Sequence, residues 1–167
     1  NVADFISDSS HKEKAKRYII KWLKEIDHAT IDQAVIACNT AHILLDDLRN
    51  VCGFEILSLI DATKEHVAKN IHATKLGVLS TASSYKFEFY ADMLNKLGRE
   101  AILPTKDSYA DIEDIIRGVL SNRNTDILVE SLKRQIGQLH DEGAEKVILG
   151  CTELSLLGQK TESTSVI

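Results

Sequence analysis

The sequence predicts an α/β fold of two similar lobes, each a parallel sheet flanked by helices. Stretches with helical apolar spacing alternate with short apolar runs along the whole chain, which is typical of parallel sheets. The runs are continuous, as in strands buried on both faces. With 167 residues, 44% hydrophobic and 27% charged, the chain can bury a core of its own.

The first half opens with a helix whose apolar residues recur at the spacing of one helix face. These residues are Ala15, Tyr18, Ile19, Trp22, Leu23 and Ile26. A strand, a helix, a second strand and a second helix are then predicted over residues 34–38, 41–48, 55–60 and 62–71.

The second half repeats the order of helix, polar loop and buried strand. Strands are predicted over residues 76–79, 101–103 and 146–151, helices over 87–97, 112–120 and 127–139, and a polar loop over 80–84. We therefore divide the chain into an N-terminal lobe (1–54, without a first strand), a second lobe (55–160) and a C-terminal segment (161–167) that returns to the first lobe.

Composition excludes several classes of protein. The net charge of −5 disfavours non-specific binding to nucleic acid. No segment reaches the roughly 18 apolar residues of a membrane span, so no membrane association is expected. The three cysteines form no CxxC pair, which argues against a disulfide framework or a zinc site and favours a reducing cytoplasm.

Two cysteines stand at equivalent places in the halves, Cys38 in Ala-Cys-Asn-Thr and Cys151 in Gly-Cys-Thr-Glu. Each ends a predicted strand and precedes a helix start, where amides stabilise a thiolate and bind carboxylates. Because ligands bind at the carboxyl ends of parallel strands, two facing lobes would place both thiols in one cleft. One thiol on each side of a substrate Cα is what racemisation needs.

A core role is the alternative for either thiol, since cysteine is among the most buried residues. Cys52 precedes a strand and has no polar motif after it, so we interpret it as structural.

Residues 37–42 and 150–154 resemble the paired signatures of the aspartate/glutamate racemase family. His42 after the first motif and Glu153 in the second resemble the aspartate racemase branch. The resemblance implies a cofactor-independent racemase of an acidic amino acid, with aspartate favoured over glutamate. It also implies a homodimer with a small-molecule substrate and without a metal.

The family's site residues carry over by position. Cys38 and Cys151 match the two catalytic acid/base thiols. The substrate-lining positions match Asn39, Thr40, Thr81, Ser84 and Thr152. Arg117 stands where the family usually has a lysine that pairs with the side-chain carboxylate of the substrate.

His42 and Glu153 complete the predicted substrate site, and each has a second interpretation. His42 could be a surface histidine at a helix start. Glu153 could orient Cys151, contact the substrate amino group, or favour a helix N-terminus.

One departure from the family pattern weakens the prediction of aspartate as substrate more than the prediction of racemase chemistry. Aspartate racemases carry a Pro-Asp-Arg segment upstream of the first cysteine, whereas residues 5–10 hold no arginine. A hydantoin racemase, a maleate isomerase and a non-catalytic amino-acid-binding module remain as alternatives.

Overall fold

The computed structural model describes residues 9–26 and 30–167. The chain divides into two compact units, residues 1–66 and 67–167, where the sequence predicted lobes over 1–54 and 55–160. Both units combine parallel strands with helices, which confirms the predicted α/β class. Residues 1–8, which include most of the segment without the expected arginine, lie outside the described residues.

The first unit holds a two-stranded parallel sheet. Its elements are α1 (Ser9–Glu25), β1 (Gln33–Val35), a 3-10 helix (Asn39–Leu44), α2 (Leu45–Arg49), β2 (Glu55–Leu57) and the start of α3 (Leu59–Asn70). Gln33 lies opposite Glu55 in the ladder, and the two side chains form a hydrogen bond of 2.7 Å.

The core of this unit is narrower than the sequence pattern predicted. Ala15 and Leu23 of α1 are buried, whereas Tyr18 and Trp22 are 63% and 64% exposed. Val35 is 53% exposed, so β1 is not buried on both faces. The apolar residues of α1 therefore form a stripe wider than the helix face that packs against the core.

The second unit holds a three-stranded parallel sheet in the order β4-β3-β5. Its elements are β3 (Lys75–Leu79), α4 (Ala82–Lys86), α5 (Phe89–Lys96), β4 (Glu100–Ile102), α6 (Ser108–Leu120), α7 (Thr125–Asp141), β5 (Lys146–Leu149) and α8 (Thr152–Gly158). Leu79 pairs with Leu149, so the carboxyl ends of β3 and β5 are in register.

The C-terminal segment, which was predicted to return to the first lobe, pairs with β5 of the second unit. Val147 and Val166 form a parallel bridge. The amide of Ile167 donates to the carbonyl oxygen of Val147, and the amide of Leu149 donates to that of Ile167. These bonds satisfy polar backbone groups along the edge of β5.

Two predicted elements differ in detail. The predicted loop over 80–84 already contains the first turn of α4, because Thr81 caps that helix by accepting the amide of Ser84. The predicted helix over 87–97 is divided, since Glu88 has a left-handed φ of 53° between α4 and α5. Within the described residues, no helix has the length and apolar character to cross a membrane.

Candidate active site at two cysteine motifs

The carboxyl ends of β3 and β5 are tied together immediately before Cys151. The amide of Gly150 donates to the carbonyl oxygen of Leu79 at 2.7 Å. The buried Ser80 hydroxyl donates to the carbonyl oxygen of Gly150 at 2.6 Å. Both backbone polar groups of Gly150, the residue before Cys151, are therefore bonded to residues at the end of β3.

Tyr85 fixes the end of β3, a role that the sequence did not suggest. Its hydroxyl accepts the amide of Ser80 at 2.7 Å and donates to the carbonyl oxygen of Val78 at 3.2 Å. Its ring stacks on Tyr109 at a centroid distance of 4.7 Å. Burial raises the pKa of Tyr85 well above its usual range, so the hydroxyl stays protonated. A tyrosine one turn into a short helix carries no local signal for these contacts.

Gly150 leaves no room for a side chain. A Cβ atom there would lie 2.5 Å from Cε2 of Tyr90 and 3.1 Å from Oγ of Ser80. Tyr90 is buried. Close contact between this ring and the backbone therefore helps to fix the position of the next residue, Cys151.

Cys151 is a buried thiol with an acceptor for its proton. Its side chain is 5% exposed, and Sγ donates to Oε2 of Glu153 at 2.9 Å. The hydroxyl of Thr152 donates to the same oxygen at 3.0 Å. Burial, followed by the hydrogen bond to Glu153, raises the pKa of Cys151 far above that of an ordinary thiol. Hydrogen bonds from the amides of Glu153 and Leu154 act in the opposite direction and stabilise the thiolate.

Thr81 and Ser84 form a buried hydroxyl pair after β3. Their side-chain oxygens are 3.1 Å apart, and the two residues are 6% and 2% exposed. Thr81 is also the N-cap of α4. The structure thus brings these two predicted residues together at the carboxyl end of β3.

The first motif follows β1 in the other unit. Cys38 is partly buried and has extended backbone angles at the N-cap of the 3-10 helix. Asn39 and Thr40 begin that helix, and both are buried. The strand-to-helix turn predicted around Cys38 is present, although the helix begins as a 3-10 helix.

His42 lies in the same 3-10 helix and is 7% exposed, so it is not a surface histidine. Its Nδ1 donates to the carbonyl oxygen of Cys38 at 3.0 Å, and its Nε2 accepts the amide of Leu59 at 2.9 Å. Burial lowers the pKa of His42 below its usual value. These hydrogen bonds correspond to the neutral tautomer with hydrogen on Nδ1.

Arg117 is exposed on a helix, whereas Cys52 packs against the core of the first unit. Arg117 is on the exposed side of α6, where its guanidinium pairs with Glu113 one turn earlier at 3.2 Å. Cys52 is partly buried and packs against the core of the first unit, as a structural cysteine would. Burial raises its pKa.

The comparisons with known proteins identify the family. A sequence profile of the Asp/Glu/Hydantoin racemase family matches residues 1–167. The chain therefore belongs to that family.

Three relatives illustrate the similarity. An uncharacterized protein encoded in the pnlA 3′ region of Pectobacterium carotovorum is 30% identical over 72% of this chain and 79% of its own length. A glutamate racemase of Sulfurihydrogenibium is 27% identical over 84% of this chain and 54% of its own length. The solved structure of Picrophilus torridus aspartate racemase aligns with a TM-score of 0.78 at 25% identity, covering 92% of this chain and 63% of that chain. The chain thus spans little more than half of the two named racemases.

Proposed function

We propose that this chain carries out cofactor-independent racemisation of an acidic amino acid by proton transfer between Cys38 and Cys151. The observation that carries the proposal is the buried Cys151 thiol, which donates to Glu153 at 2.9 Å and lies against two backbone amides. A second cysteine at the corresponding strand end of the other unit supports it. The named relatives, an aspartate racemase and a glutamate racemase, suggest the class of substrate.

The general acid and the general base of this mechanism rest in different protonation states. Because the pKa of Cys151 is raised, it rests as a thiol and can deliver a proton to Cα. The thiolate of Cys38 removes the Cα proton from the opposite face in that direction. The forward transfer leaves Cys38 as a thiol and Cys151 as a thiolate, which the amides of residues 153 and 154 stabilise. The reverse reaction starts from that state, with the Cys151 thiolate as the base and the Cys38 thiol as the acid.

General acid–base catalysis supplies about 10²–10⁴-fold, so the carbanionic transition state needs further stabilisation. Preorganised hydrogen-bond donors at the α-carboxylate are the usual source of such stabilisation. We propose this role for Asn39 and for the hydroxyl groups of Thr40, Thr81, Ser84 and Thr152.

Selection of an acidic substrate requires a cation. We propose Arg117 for the distal carboxylate, because a guanidinium binds a carboxylate through two hydrogen bonds. The substrate would compete with Glu113, which pairs with Arg117 across one helical turn. An exposed pair of this kind is weak, so the exchange of partners costs little. Aspartate is the favoured substrate.

The test is incubation of L- and D-aspartate and L- and D-glutamate with the full chain in D₂O. Deuterium at Cα is followed by NMR, and enantiomer composition by chiral chromatography. Cys38→Ala and Cys151→Ala are each expected to reduce racemisation by at least about 10³-fold, because either change removes one of the two proton-transfer groups. Cys52→Ala is the matched control and should retain racemisation.

Racemisation that survives both cysteine substitutions would contradict the two-thiol mechanism. A chain that binds these amino acids without deuterium exchange would be a binding module. Exchange with neutral amino acids only would contradict the assignment of an acidic substrate. Full activity in Arg117→Ala would contradict the role proposed for Arg117.

A further inference from the structure

His42 occupies an unusual position between the two strand ends of the first unit. β1 leads into Cys38, and β2 leads through Ser58 into α3. The parallel pairing of β1 and β2 brings these two carboxyl ends side by side. The imidazole of His42 bridges them, with one nitrogen on the backbone of Cys38 and the other on Leu59.

The two contacts together fit only the neutral ring with hydrogen on Nδ1. Nδ1 must carry hydrogen to donate to the Cys38 carbonyl oxygen, and Nε2 must lack hydrogen to accept from Leu59. Leu59 is the first residue of α3, so its amide has no partner within that helix. Nε2 of His42 satisfies this amide, and the hydroxyl of Ser58 satisfies the amide of Asp61 at 3.0 Å.

The surroundings of the ring also favour the neutral form. His42 is buried, and desolvation is the largest cause of its lowered pKa. The guanidinium of Arg49 in α2 acts in the same direction, while Asp61 in α3 and the backbone oxygens of Cys38 and Asn39 act against it. The guanidinium of Arg49 donates two hydrogen bonds to the carbonyl oxygen of Ile56 in β2, and these bonds fix its position.

We propose that His42 is a positioning residue for Cys38, and that its protonation breaks the bridge to α3 and displaces the thiol. A proton on Nε2 would face the amide hydrogen of Leu59, so the two groups must separate. The movement would reach Cys38 through its carbonyl oxygen. Activity should then fall at a pH lower than the roughly 6.5 at which an ordinary histidine titrates, without any change in the state of Cys151.

The direction of the pH effect follows from linkage. The folded chain holds His42 with a pKa below that of the unfolded chain. The unfolded chain therefore binds more protons as pH falls through about 6.5, and stability decreases over that range. The contribution levels off below the folded pKa of His42.

The test compares His42→Gln with His42→Asn. Glutamine can place an acceptor near the position of Nε2, and asparagine can place a donor near the position of Nδ1, but neither titrates. The catalytic part of the inference rests on the proposed function, so one measurement must not depend on racemisation. That measurement is the nitrogen NMR spectrum of the imidazole in the unsubstituted chain, with amide hydrogen exchange at Leu59 as a function of pH.

We expect a single Nδ1–H tautomer near neutral pH and a Leu59 amide that loses protection as His42 becomes protonated. Both variants should lower kcat by between about tenfold and 10²-fold, with little change in KM, since the substrate contacts remain. The acid limb of the kcat profile should be absent in His42→Gln. His72→Gln, at an exposed histidine, is the control and should keep the limb.

Several results would overturn the proposal. In the NMR spectrum, these are the opposite tautomer or a charged ring at neutral pH. In the kinetics, they are a loss of kcat in acid that persists in His42→Gln, or a change in KM alone, which would make His42 a substrate contact. A chain without racemisation that still shows the expected tautomer and the pH-dependent Leu59 amide would contradict the proposed function and leave the positioning role of His42 supported.

Discussion

The two cysteine motifs resemble each other in sequence and differ in how each cysteine is held. Cys151 is buried and its thiol donates directly to a carboxylate. Cys38 is only partly buried, and its polar neighbour His42 contacts its backbone rather than its sulfur. The two similar motifs therefore place their thiols in different surroundings.

The largest effect that would sharpen this comparison is expected at Glu153, which has no carboxylate counterpart in the first motif. Glu153→Gln removes the negative charge that holds the Cys151 proton, so the pKa of that thiol should fall while burial still keeps it raised. We expect a loss of about 10²-fold or more in racemisation, together with unequal deuterium exchange into the two enantiomers. NMR of each enantiomer in D₂O measures this. Equal exchange rates would argue against a role for Glu153 at one thiol only, and Glu142→Gln at an exposed site is the control.

The residues before the two cysteines offer a second test. Gly150 abuts the ring of Tyr90, whereas Ala37 is exposed. Gly150→Ala should lower the free energy of unfolding by about 1–3 kcal/mol, because a Cβ atom would overlap a buried ring. Ala37→Gly should change stability by less than about 1 kcal/mol. Urea unfolding measures both variants, and equal effects would remove this distinction between the motifs.

Gly137→Ala is a useful companion to Gly150→Ala. Gly137 lies inside α7, and its added Cβ would meet nothing within 4 Å. Alanine there should raise the free energy of unfolding by about 0.5–1 kcal/mol, since glycine is unfavourable inside a helix. A loss of stability at both positions would point to a general cost of substitution rather than to the contact with Tyr90.

A smaller effect is expected in alkylation, where the rates of modification of the individual cysteines can be compared directly. Only a thiolate reacts with iodoacetamide, and Cys151 is both buried and raised in pKa. We expect modification of Cys151 at neutral pH to be at least about tenfold slower than that of Cys38. Peptide mapping by mass spectrometry follows both sites in one sample, with Cys52 as an internal reference. Equal rates would contradict the buried, protonated state of Cys151.

The smallest effect is expected at the opposite end of the same sheet. The exposed Glu145 carboxylate accepts the amides of Thr74 and Lys75 and the Thr74 hydroxyl at 2.8–2.9 Å, which lowers its pKa. Because the folded pKa is the lower one, this contribution to stability is present at neutral pH and lost as pH falls below about 4. Glu145→Ala should lower the urea midpoint slightly at neutral pH and not in acid. A large loss of racemisation in this variant would show that global stability, rather than the strand ends, controls the site.

The sequence was sufficient for the order of elements and for both strand-to-helix turns. Apolar runs and helical spacing located the long helices and the five strands of the described residues. The motifs placed Cys38 and Cys151 shortly after two of these strands, which end at Val35 and Leu149. The contacts of Ser80 and Tyr85 could not be anticipated, since the Ser80 bond reaches a carbonyl group 70 residues away. The exposure of Tyr18 and Trp22 was also missed, because spacing reports which residues share a face and not how much of that face is covered.

The sheet order has a consequence for synthesis of the chain. β3 is the central strand of its sheet, but its partner β5 comes about 70 residues later, after four intervening helices and β4. A pairing of such high contact order forms slowly and only after the intervening chain has left the ribosome. Until then the Cys151 thiol is not buried, and it is not held in position against the Glu153 carboxylate. The nascent chain therefore exposes a reactive sulfur that the folded protein protects, and oxidative damage to this site should depend on folding rate more than on final stability.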